Sequence, residues 1–369
     1  NRNASTSVEP GSGVTIMGYA GICGSQDLAS NSIAYFHATS YDEIVNFTQL
    51  GSGNGCAVTS TTGNLPPVVT VSGNYFIPAN TAFTLTGSAT DPNSDPLTYS
   101  WEERDAGTAS GNWNSGNKPF FRSYNPTTSS MRMFPSQSQM LNNQYQSLKG
   151  EYIPTTAQTL NFRLTARDNK MGGGGVCYAQ SSVSVSATSG SFAITYPNST
   201  GIVWGMGQQQ NVTWNVNGTD VVPVNSPFVN ILISYNSGIT FTTLVANTPN
   251  DGIELITVPT LTAGVTTCRI KVESANNIFF DVNNPDFEIA ASVMGLPDAS
   301  AGNALGVLVL PNPFANDFQL KVGALSSSSK TEVIITDVLG KVIKQITYEK
   351  VSILDEHIDL SDFKSAVYF

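Results

Sequence analysis

Apolar and polar residues alternate with a period of two along much of the chain, and this pattern restricts the fold more than any other feature. Residues 159–166, 182–186 and 229–234 show it most clearly. Successive side chains of a strand point to opposite faces of a sheet, so this period indicates half-buried strands. Turn-forming stretches such as 91–95 and 250–252 separate the alternating runs, and helical periodicity is almost absent. We therefore predict a mainly β protein made of tandem Ig-like β-sandwiches.

The charge balance and the length of the apolar runs each exclude one class of protein. Charged residues make up 12% of the chain and the net charge is -10 at pH 7. A nucleic-acid-binding protein needs a basic surface, so we expect no nucleic-acid partner. No apolar run approaches the ~18 residues of a transmembrane helix. Abundant Ser, Thr, Asn and Gly with little Lys or Glu is typical of extracellular β proteins.

Composition also divides the chain into segments. Three stretches rich in small residues, 51–67, 186–191 and 290–306, have the composition of linkers. Charged residues become about twice as frequent after Leu305. Within the second segment, 105–158 is predicted to be an insertion of extended loops. The predicted segments are residues 1–56, 65–188, 190–290 and 305–369.

The four cysteines allow three disulfide pairings. Cys23 and Cys56 both lie in the first segment and form the favoured bridge, whereas Cys177 and Cys268 fall in different segments and are expected to be unpaired. With two histidines and no Cys-x-x-Cys in the chain, a closed structural zinc site is not expected.

The first segment contains Thr15-Ile16-Met17-Gly18-Tyr19-Ala20-Gly21, and 34–44 follows with Ala-Tyr-Phe-His and Ser-Tyr-Asp-Glu-Ile. Together these stretches resemble the end of a reprolysin-like metzincin peptidase domain, in which a Met-turn follows the zinc motif. The resemblance implies that 1–56 is a small, α-containing remnant of such a catalytic domain. Met17 would then be the methionine beneath the zinc ligands, and Tyr19 would lie just after it.

The same resemblance implies that residues 32–47 form the last helix of that domain. Tyr35, Ile44 and Phe47 would face the core, with Asp42 and Glu43 outside. His37 would be a structural residue satisfied within the fold, or would contribute to a substrate subsite.

The zinc-binding part of the metzincin pattern is missing. No His-Glu-x-x-His occurs in the sequence. Zinc hydrolysis needs three protein ligands, an open position for water and a general base. We therefore expect zinc to belong to the parent enzyme and this chain to contain no catalytic residue.

The second segment opens with Asn64-Leu65-Pro66-Pro67 and continues to Leu97-Thr98-Tyr99-Ser100-Trp101. These stretches resemble PKD and cadherin-like modules of secreted bacterial enzymes, which implies that Trp101 is a core residue. Asp91 and Asp95, with Asp168, offer oxygen ligands that suit Ca²⁺. The alternative is that these aspartates only terminate turns.

Four further features of the central segments have structural interpretations. The glycine run 172–175 favours a tight hairpin. Glu102 and Glu103 are adjacent on a strand and point to opposite faces, so they cannot act as one acid/base pair, and we predict that both are solvated. Trp214 is predicted to be in the core of the third segment, which is similar to Ig-like or fibronectin-like spacer modules. Trp204 either packs in the core or stacks on a ligand at the surface.

The last segment contains three linked patterns, at 311–314 (Pro-Asn-Pro-Phe), 337–341 (Asp-Val-Leu-Gly-Lys) and 367–369 (Val-Tyr-Phe). They resemble the C-terminal sorting domain of type IX secretion substrates. The resemblance implies export by the type IX machinery, to the medium or the surface of a Gram-negative bacterium. Ala366 stands at a Gly-like position of the family, and the final strand is expected to be missing.

Within this segment a β-sandwich is predicted, with Val333, Ile335 and Val338 in its core. Leu339 is placed at the turn, and His357 is predicted to be solvated on a strand.

Two functional interpretations remain at this stage. Asn1 is not a methionine and the chain stops within a predicted strand, so we expect the C-terminal fragment of a secreted zinc metalloendopeptidase that acts on proteins or peptides. The alternative is a non-enzymatic surface adhesin made of Ig-like modules.

Overall fold

The computed structural model describes residues 3–56, 58–107, 112–290, 306–310, 316–323, 330–351 and 354–363. The chain divides into two compact units. The first comprises Asn1–Trp204, Gln208–Pro259 and Ala263–Ala290, and the second comprises Gly205–Gly207, Thr260–Thr262 and Ala291–Phe369. The predicted linker between Ala290 and Gly306 lies outside the described residues. So do the patterns at 311–314 and 366–369.

Strands dominate the first unit, as the period-two pattern predicts. The helices are α1 (Ala38–Val45), followed by a π-helical turn at Asn46–Leu50, and α2 (Gln137–Leu141); short 3₁₀ turns occupy Ala4–Thr6, Gly24–Gln26 and Ser52–Cys56. The strands described in this part of the chain are β1 (Val68–Val71), β2 (Tyr75–Ile77), β3 (Ala82–Thr90), β4 (Thr98–Glu103), β5 (Met131–Phe134), β6 (Gln158–Arg167), β7 (Val176–Val185), β8 (Ala193–Tyr196), β9 (Val203–Gly205), β10 (Gln209–Asn215), β11 (Phe228–Ser234), β12 (Thr242–Pro249), β13 (Ile253–Thr257), β14 (Val265–Ser274), β15 (Phe279–Val282) and β16 (Phe287–Ala290). The prediction of a mainly β protein is confirmed.

The strands form three sheets. One follows the order β2-β7-β6-β4, and a second, small sheet follows β13-β10-β8. The largest follows β1-β3-β15-β14-β11-β12, with β5, β9 and β16 attached. In this sheet β3 pairs with β15, Phe83 opposite Phe279, so hydrogen bonding continues across the boundary predicted at 188–190. The segment boundaries themselves stay predictions.

Aromatic side chains from distant parts of the sequence meet in the core of this unit. Phe134 lies 5.0 Å from Phe83, 4.8 Å from Phe121 and 4.9 Å from Phe162, measured between ring centroids. Phe121 and Phe134 come from the stretch predicted to be an insertion of loops. The insertion therefore adds to the core as well as to the surface.

The tryptophan predictions can be compared directly with burial. Trp101 is buried on β4 and its indole N–H donates to the Ser130 carbonyl, as the core prediction requires. Trp214 is also buried and donates to the side chain of Asn250 at 2.8 Å. Trp204 packs against Phe287 in the interior, so of the two interpretations the core one is correct.

The glycine run forms the predicted hairpin between β6 and β7. These strands pair from Gln158 opposite Val185 to Arg167 opposite Val176. Gly172 has φ +82°, which favours glycine, and a Cβ on Gly175 would lie 2.6 Å from Pro66 Cα. Glycine is thus needed both for the turn and for the close approach of the segment that precedes β1.

The second unit has its own core. Strands β17 (Gly306–Leu310), β18 (Asp317–Gly323) and β21 (Leu354–Asp359) form one sheet, and β19 (Lys330–Thr336) pairs with β20 (Val342–Glu349). The buried residues of its core are Phe318, Leu320, Val322, Ile335, Leu354, Ile358 and Leu360, with Val333 packed against them.

The predictions for this unit are correct at Val333, Ile335 and the solvated His357, whose side chain is 66% exposed. The prediction for Val338 is wrong. Strand β19 ends at Thr336, so Val338 belongs to the turn and points away from the core.

Candidate functional site

A tight turn carries Met17 near the start of the described chain. The Glu9 carboxylate accepts hydrogen bonds from Val14 N at 2.8 Å, Thr15 N at 3.1 Å and the Thr15 hydroxyl at 2.6 Å. Tyr19 N closes the turn by donating to Ser12 O at 2.7 Å. Met17 follows this braced segment with its side chain 63% exposed. The turn is therefore held by its own polar contacts, and Met17 is not needed to pack it.

A cavity of about 300 Å³ lies beside Met17. Tyr19, His37 and Glu43 are among its lining residues. The two residues that the metzincin resemblance singled out, Met17 and Tyr19, thus face one cavity together with His37. The sequence places these residues in one segment, and in the structure they line the same cavity.

His37 is a structural residue, as one of its two predicted roles had it. It is buried, its Nε2 lies 3.1 Å from Glu103 O, and its Nδ1 accepts from Thr39 N at 3.1 Å. Because Nδ1 accepts, the proton is on Nε2, where it is donated to the carbonyl. Both ring nitrogens therefore have a backbone partner, one at the start of helix α1 and one on β4.

Helix α1 differs from the predicted helix 32–47. It begins at Ala38, because His37 has the extended backbone of an N-cap. Ile44 and Phe47 are exposed and only Tyr35 is buried, so two of the three core predictions are wrong. Asp42 was placed outside, but it faces the sheet. Helix α1 packs against the sheet through polar side chains, because the sheet presents the charged side chains of Arg104 and Arg163 to it.

Glu102 joins this segment to the sheet, contrary to the prediction that it is solvated. Its buried carboxylate accepts from the Tyr35 hydroxyl at 2.8 Å, Ala38 N at 3.0 Å and the Ser123 hydroxyl at 2.7 Å. Burial, reinforced by the charge of Glu102, raises the pKa of Tyr35. One carboxylate therefore connects residues 35–38, β4 and the insertion.

Arg163 and Asp42 form a second buried connection between the first segment and the sheet, after that of Glu102; we call these two connections the buried joints. The guanidinium of Arg163, 1% exposed, donates to both carboxylate oxygens of Asp42 at 2.8 and 2.7 Å. Arg104 donates to the same carboxylate at 2.6 Å, and Arg163 stacks on Tyr178 with its Cζ 3.7 Å from the ring centroid. A bidentate pair of this kind fixes orientation as well as distance. The first segment and the β4–β6–β7 sheet are thus held together by buried polar contacts.

Glu103 is also buried, so the prediction of a solvated pair fails at both positions. One of its carboxylate oxygens accepts from Phe120 N at 2.7 Å and Phe121 N at 3.0 Å, and the other has no hydrogen-bond partner. Burial raises the pKa of this carboxyl to about 8, although the two backbone hydrogen bonds oppose the rise. The opposite-face argument was right, but segment 3–56 and the core cover both faces of β4.

The predicted calcium residues lie around the hairpin turn at 168–175. Asp168 accepts from Gly175 N at 2.8 Å and from the Asn64 amide at 2.6 Å, and Lys170 Nζ lies 2.9 Å from Asp95. The pKa of Asp168 is lowered overall. Burial alone would raise it, but the hydrogen bonds from Lys170 N, Asn64 and Gly175 N outweigh the effect of burial. Two acceptor atoms here, Asn64 Oδ1 and Asp91 Oδ2, are buried without a hydrogen-bond partner.

The described residues contain no group of three His, Cys, Asp or Glu side chains arranged to hold a metal ion. No helix in the described part of the chain is long and apolar enough to cross a membrane. Cys177 and Cys268 carry no disulfide within the described residues. The side chain of Cys56 lies outside them, so the Cys23–Cys56 bridge stays a prediction.

Sequence reasoning missed the buried joints, although the sequence carried a signal for them. Five of the seven arginines fall between Arg104 and Arg167, in a chain that is poor in charge. Arginines clustered in a chain so poor in charge indicate buried ion pairs, because a charged side chain is rarely buried unless it is paired.

Comparisons with known proteins identify the end of the chain. The Secretion system C-terminal sorting domain family matches residues 308–369. No curated protein matches the sequence. Among solved structures, the chain is similar to the fibronectin(III)-like modules of Clostridium thermocellum CbhA, at 11% identity and TM-score 0.20, over 61% of this chain and 94% of that one.

Two further solved structures give similar figures. The FN1–FN3 domains of chicken CNTN1 match at 9% identity and TM-score 0.20, over 80% of this chain and 88% of that one. A Dscam structure on isoform specificity matches at 10% identity and TM-score 0.19, over 64% of this chain and 48% of that one. The conclusion about localisation rests on the family match: residues 308–369 are a type IX secretion sorting domain, and the protein is secreted or displayed at the surface of a Gram-negative bacterium.

Proposed function

We propose that the protein is part of a secreted zinc metalloendopeptidase. In this proposal residues 1–56 are the end of a metzincin catalytic domain with Met17 in its Met-turn. The PKD-like and Ig-like modules support that domain, and the sorting domain directs its export. The substrate class is protein or peptide.

The observation that carries the proposal is the exposure of large apolar side chains in segment 1–56. The segment buries Val8, Val14 and Leu28 and contacts the sheet through polar side chains, but other large apolar side chains are exposed. These exposed residues are Ile16, Met17, Ile22, Phe36, Ile44, Phe47 and Leu50. Three of them, Met17, Ile44 and Phe47, line one surface depression, and apolar side chains exposed together mark an interaction face. A catalytic body resting on the Met-turn would cover this face.

The residues of this chain do not fit a zinc site by themselves, because no three potential ligands are grouped among the described ones. In the proposal these residues position the turn that carries Met17. Glu9 holds the turn, and Glu102 and Arg163 attach the segment to the sheet. Met17 would support the ligand residues without binding metal. No step of hydrolysis is assigned to this chain.

The gene offers the sharpest test. The sequence encoded upstream of Asn1 should contain His-Glu-x-x-His-x-x-Gly-x-x-His within a few tens of residues. Further β modules at that place would refute the peptidase proposal and favour the adhesin.

We predict that the purified 369-residue chain contains no stoichiometric zinc and does not cleave casein. The reason is the missing histidine motif. Metal analysis and a casein assay check this, with the longer protein that includes the upstream sequence as the positive control. One tightly bound zinc per 369-residue chain would contradict the prediction.

We also propose that the loops around Asp91 bind Ca²⁺. The support is a pair of buried acceptors without a hydrogen-bond partner. One is Asn64 Oδ1, whose amide nitrogen donates to the Asp168 carboxylate, and the other is Asp91 Oδ2, whose companion oxygen accepts from Asp95 N. Unpaired buried acceptors are costly, and a hard cation with oxygen ligands would satisfy them. The ammonium of Lys170 is paired with Asp95, so this lysine competes with a bound cation for that carboxylate.

Ca²⁺ should therefore raise the melting temperature of the full chain, with the weak Kd of ~10⁻⁴–10⁻³ M typical of extracellular modules. At tenfold excess over Kd the stabilisation is about 1.4 kcal/mol. Lys170→Ala should tighten binding by removing a competing cation, and Asp91→Asn should abolish it. Identical melting curves with Ca²⁺, Mg²⁺ and chelator would reject the site.

A further inference from the structure

The turn between β19 and β20 is rigid without help from its apolar side chains. The Asp337 carboxylate accepts from Leu339 N at 2.9 Å and from Lys341 N at 3.0 Å. Backbone hydrogen bonds link Asp337 and Lys341, and Gly340 adopts φ +79°. Asp337 and Gly340 therefore determine the turn, and the residues between them are free to be polar.

These residues are nevertheless apolar and exposed. Leu339 is 89% exposed and Val338 61%, and Val342 at the start of β20 is half exposed. None of the three belongs to the core of the unit. We call Val338, Leu339 and Val342 the tip patch. Polar residues dominate turns of this kind, so folding does not explain the patch.

The charge around the tip patch restricts what can bind it. Lys341 is exposed at the same turn, whereas the carboxylate of Asp337 is engaged by two backbone N–H groups. The tip therefore presents aliphatic side chains next to an ammonium group. The complementary surface is an apolar pocket with carboxylates at its rim.

We propose that the secretion machinery binds the sorting domain through the tip patch, by means of such an acid-rimmed apolar pocket. This proposal rests on the sorting function of residues 308–369 and adds the surface that performs it. A rigid tip suits this role, because little conformational entropy is lost when it inserts.

The test is an export assay with variants at the chromosomal gene of the producing bacterium. Leu339→Asn removes most of the apolar contact while keeping a residue that turns accept. Leu255→Asn is the matched control, because Leu255 is an exposed leucine on β13 of the other unit. The exported fraction is measured in medium and surface fractions against the periplasm, and purified variants are melted to check folding.

We expect Leu339→Asn to lower the exported fraction tenfold or more and to accumulate in the periplasm with an unchanged melting temperature. Leu255→Asn should be exported like the wild type. Lys341→Glu should impair export as well. Normal export of Leu339→Asn, or equal loss in Leu255→Asn, would overturn the tip proposal while leaving the sorting function intact. Failure to export the wild-type protein would refute the sorting function itself.

Discussion

Replacing Arg163 by leucine should destabilise the first unit by about 3–5 kcal/mol. The change removes the bidentate contact with Asp42, the hydrogen bond to Ala38 O and the stacking on Tyr178. Removing one partner of a buried pair leaves the other charge incompletely compensated, and Arg104 alone then faces Asp42. We expect residues 35–45 to detach from the sheet before the rest of the unit unfolds.

Urea unfolding followed by tryptophan fluorescence is suited to this measurement, since all four tryptophans lie in the first unit. Hydrogen exchange of the α1 amides reports the local detachment. Lys170→Leu in calcium-free buffer is the control: it breaks an ion pair whose lysine is exposed, so its effect on stability should be much smaller. A double-mutant cycle with Asp42→Asn separates the pair from the stacking. Equal losses in the Arg163 and Lys170 variants would contradict the buried joint.

The β architecture could be predicted because its signal is local. Alternation along 159–166 reports the two faces of β6 whatever lies elsewhere in the chain. The turn residues between strands act locally too, as the hairpin at 172–175 illustrates. The same reasoning reached its limit at Val338, where the apolar pattern continues two residues past the end of the strand.

The candidate site could be predicted only in part, because burial there depends on contacts between distant segments. Met17 and Tyr19 were singled out by a pattern of neighbouring residues; both line the cavity, and their role stays a prediction. Glu102 and Glu103 were misjudged because their surroundings come from residues 35–38 and 120–123, which no local pattern connects to β4. The start of α1 was misplaced for a related reason: histidine is an unusual N-cap, and here its position is fixed by a bond to Glu103 O.

Glu103→Gln should make the first unit less sensitive to alkaline pH. Burial raises the pKa of this carboxyl from its ordinary 4.5 to about 8 in the folded protein. A raised folded pKa means that the folded state holds its proton more tightly than the unfolded state does. The favourable contribution of this proton is therefore complete below about pH 4.5, declines as pH rises, and is lost above about pH 8. The shift corresponds to roughly 4–5 kcal/mol.

The Gln variant keeps the acceptor for Phe120 N and Phe121 N but cannot ionise. Wild type and variant should therefore have similar free energies of unfolding near pH 4. As pH rises the variant should become the more stable of the two, and the difference should become constant near pH 9. The charges of Asp105 and Lys118, which act on Glu103, are the same in both proteins. The difference between the two unfolding free energies, measured in urea, therefore isolates this carboxyl.

Asp95→Asn, which removes the carboxylate of the surface pair with Lys170, is the control and should leave stability at alkaline pH unchanged. Parallel pH profiles for wild type and Glu103→Gln would show that Glu103 does not retain its proton in the folded state. If the gap appears, then β4 carries a proton-dependent contact with the insertion, and the segment bearing Met17 rests on it through His37 and the Glu103 carbonyl.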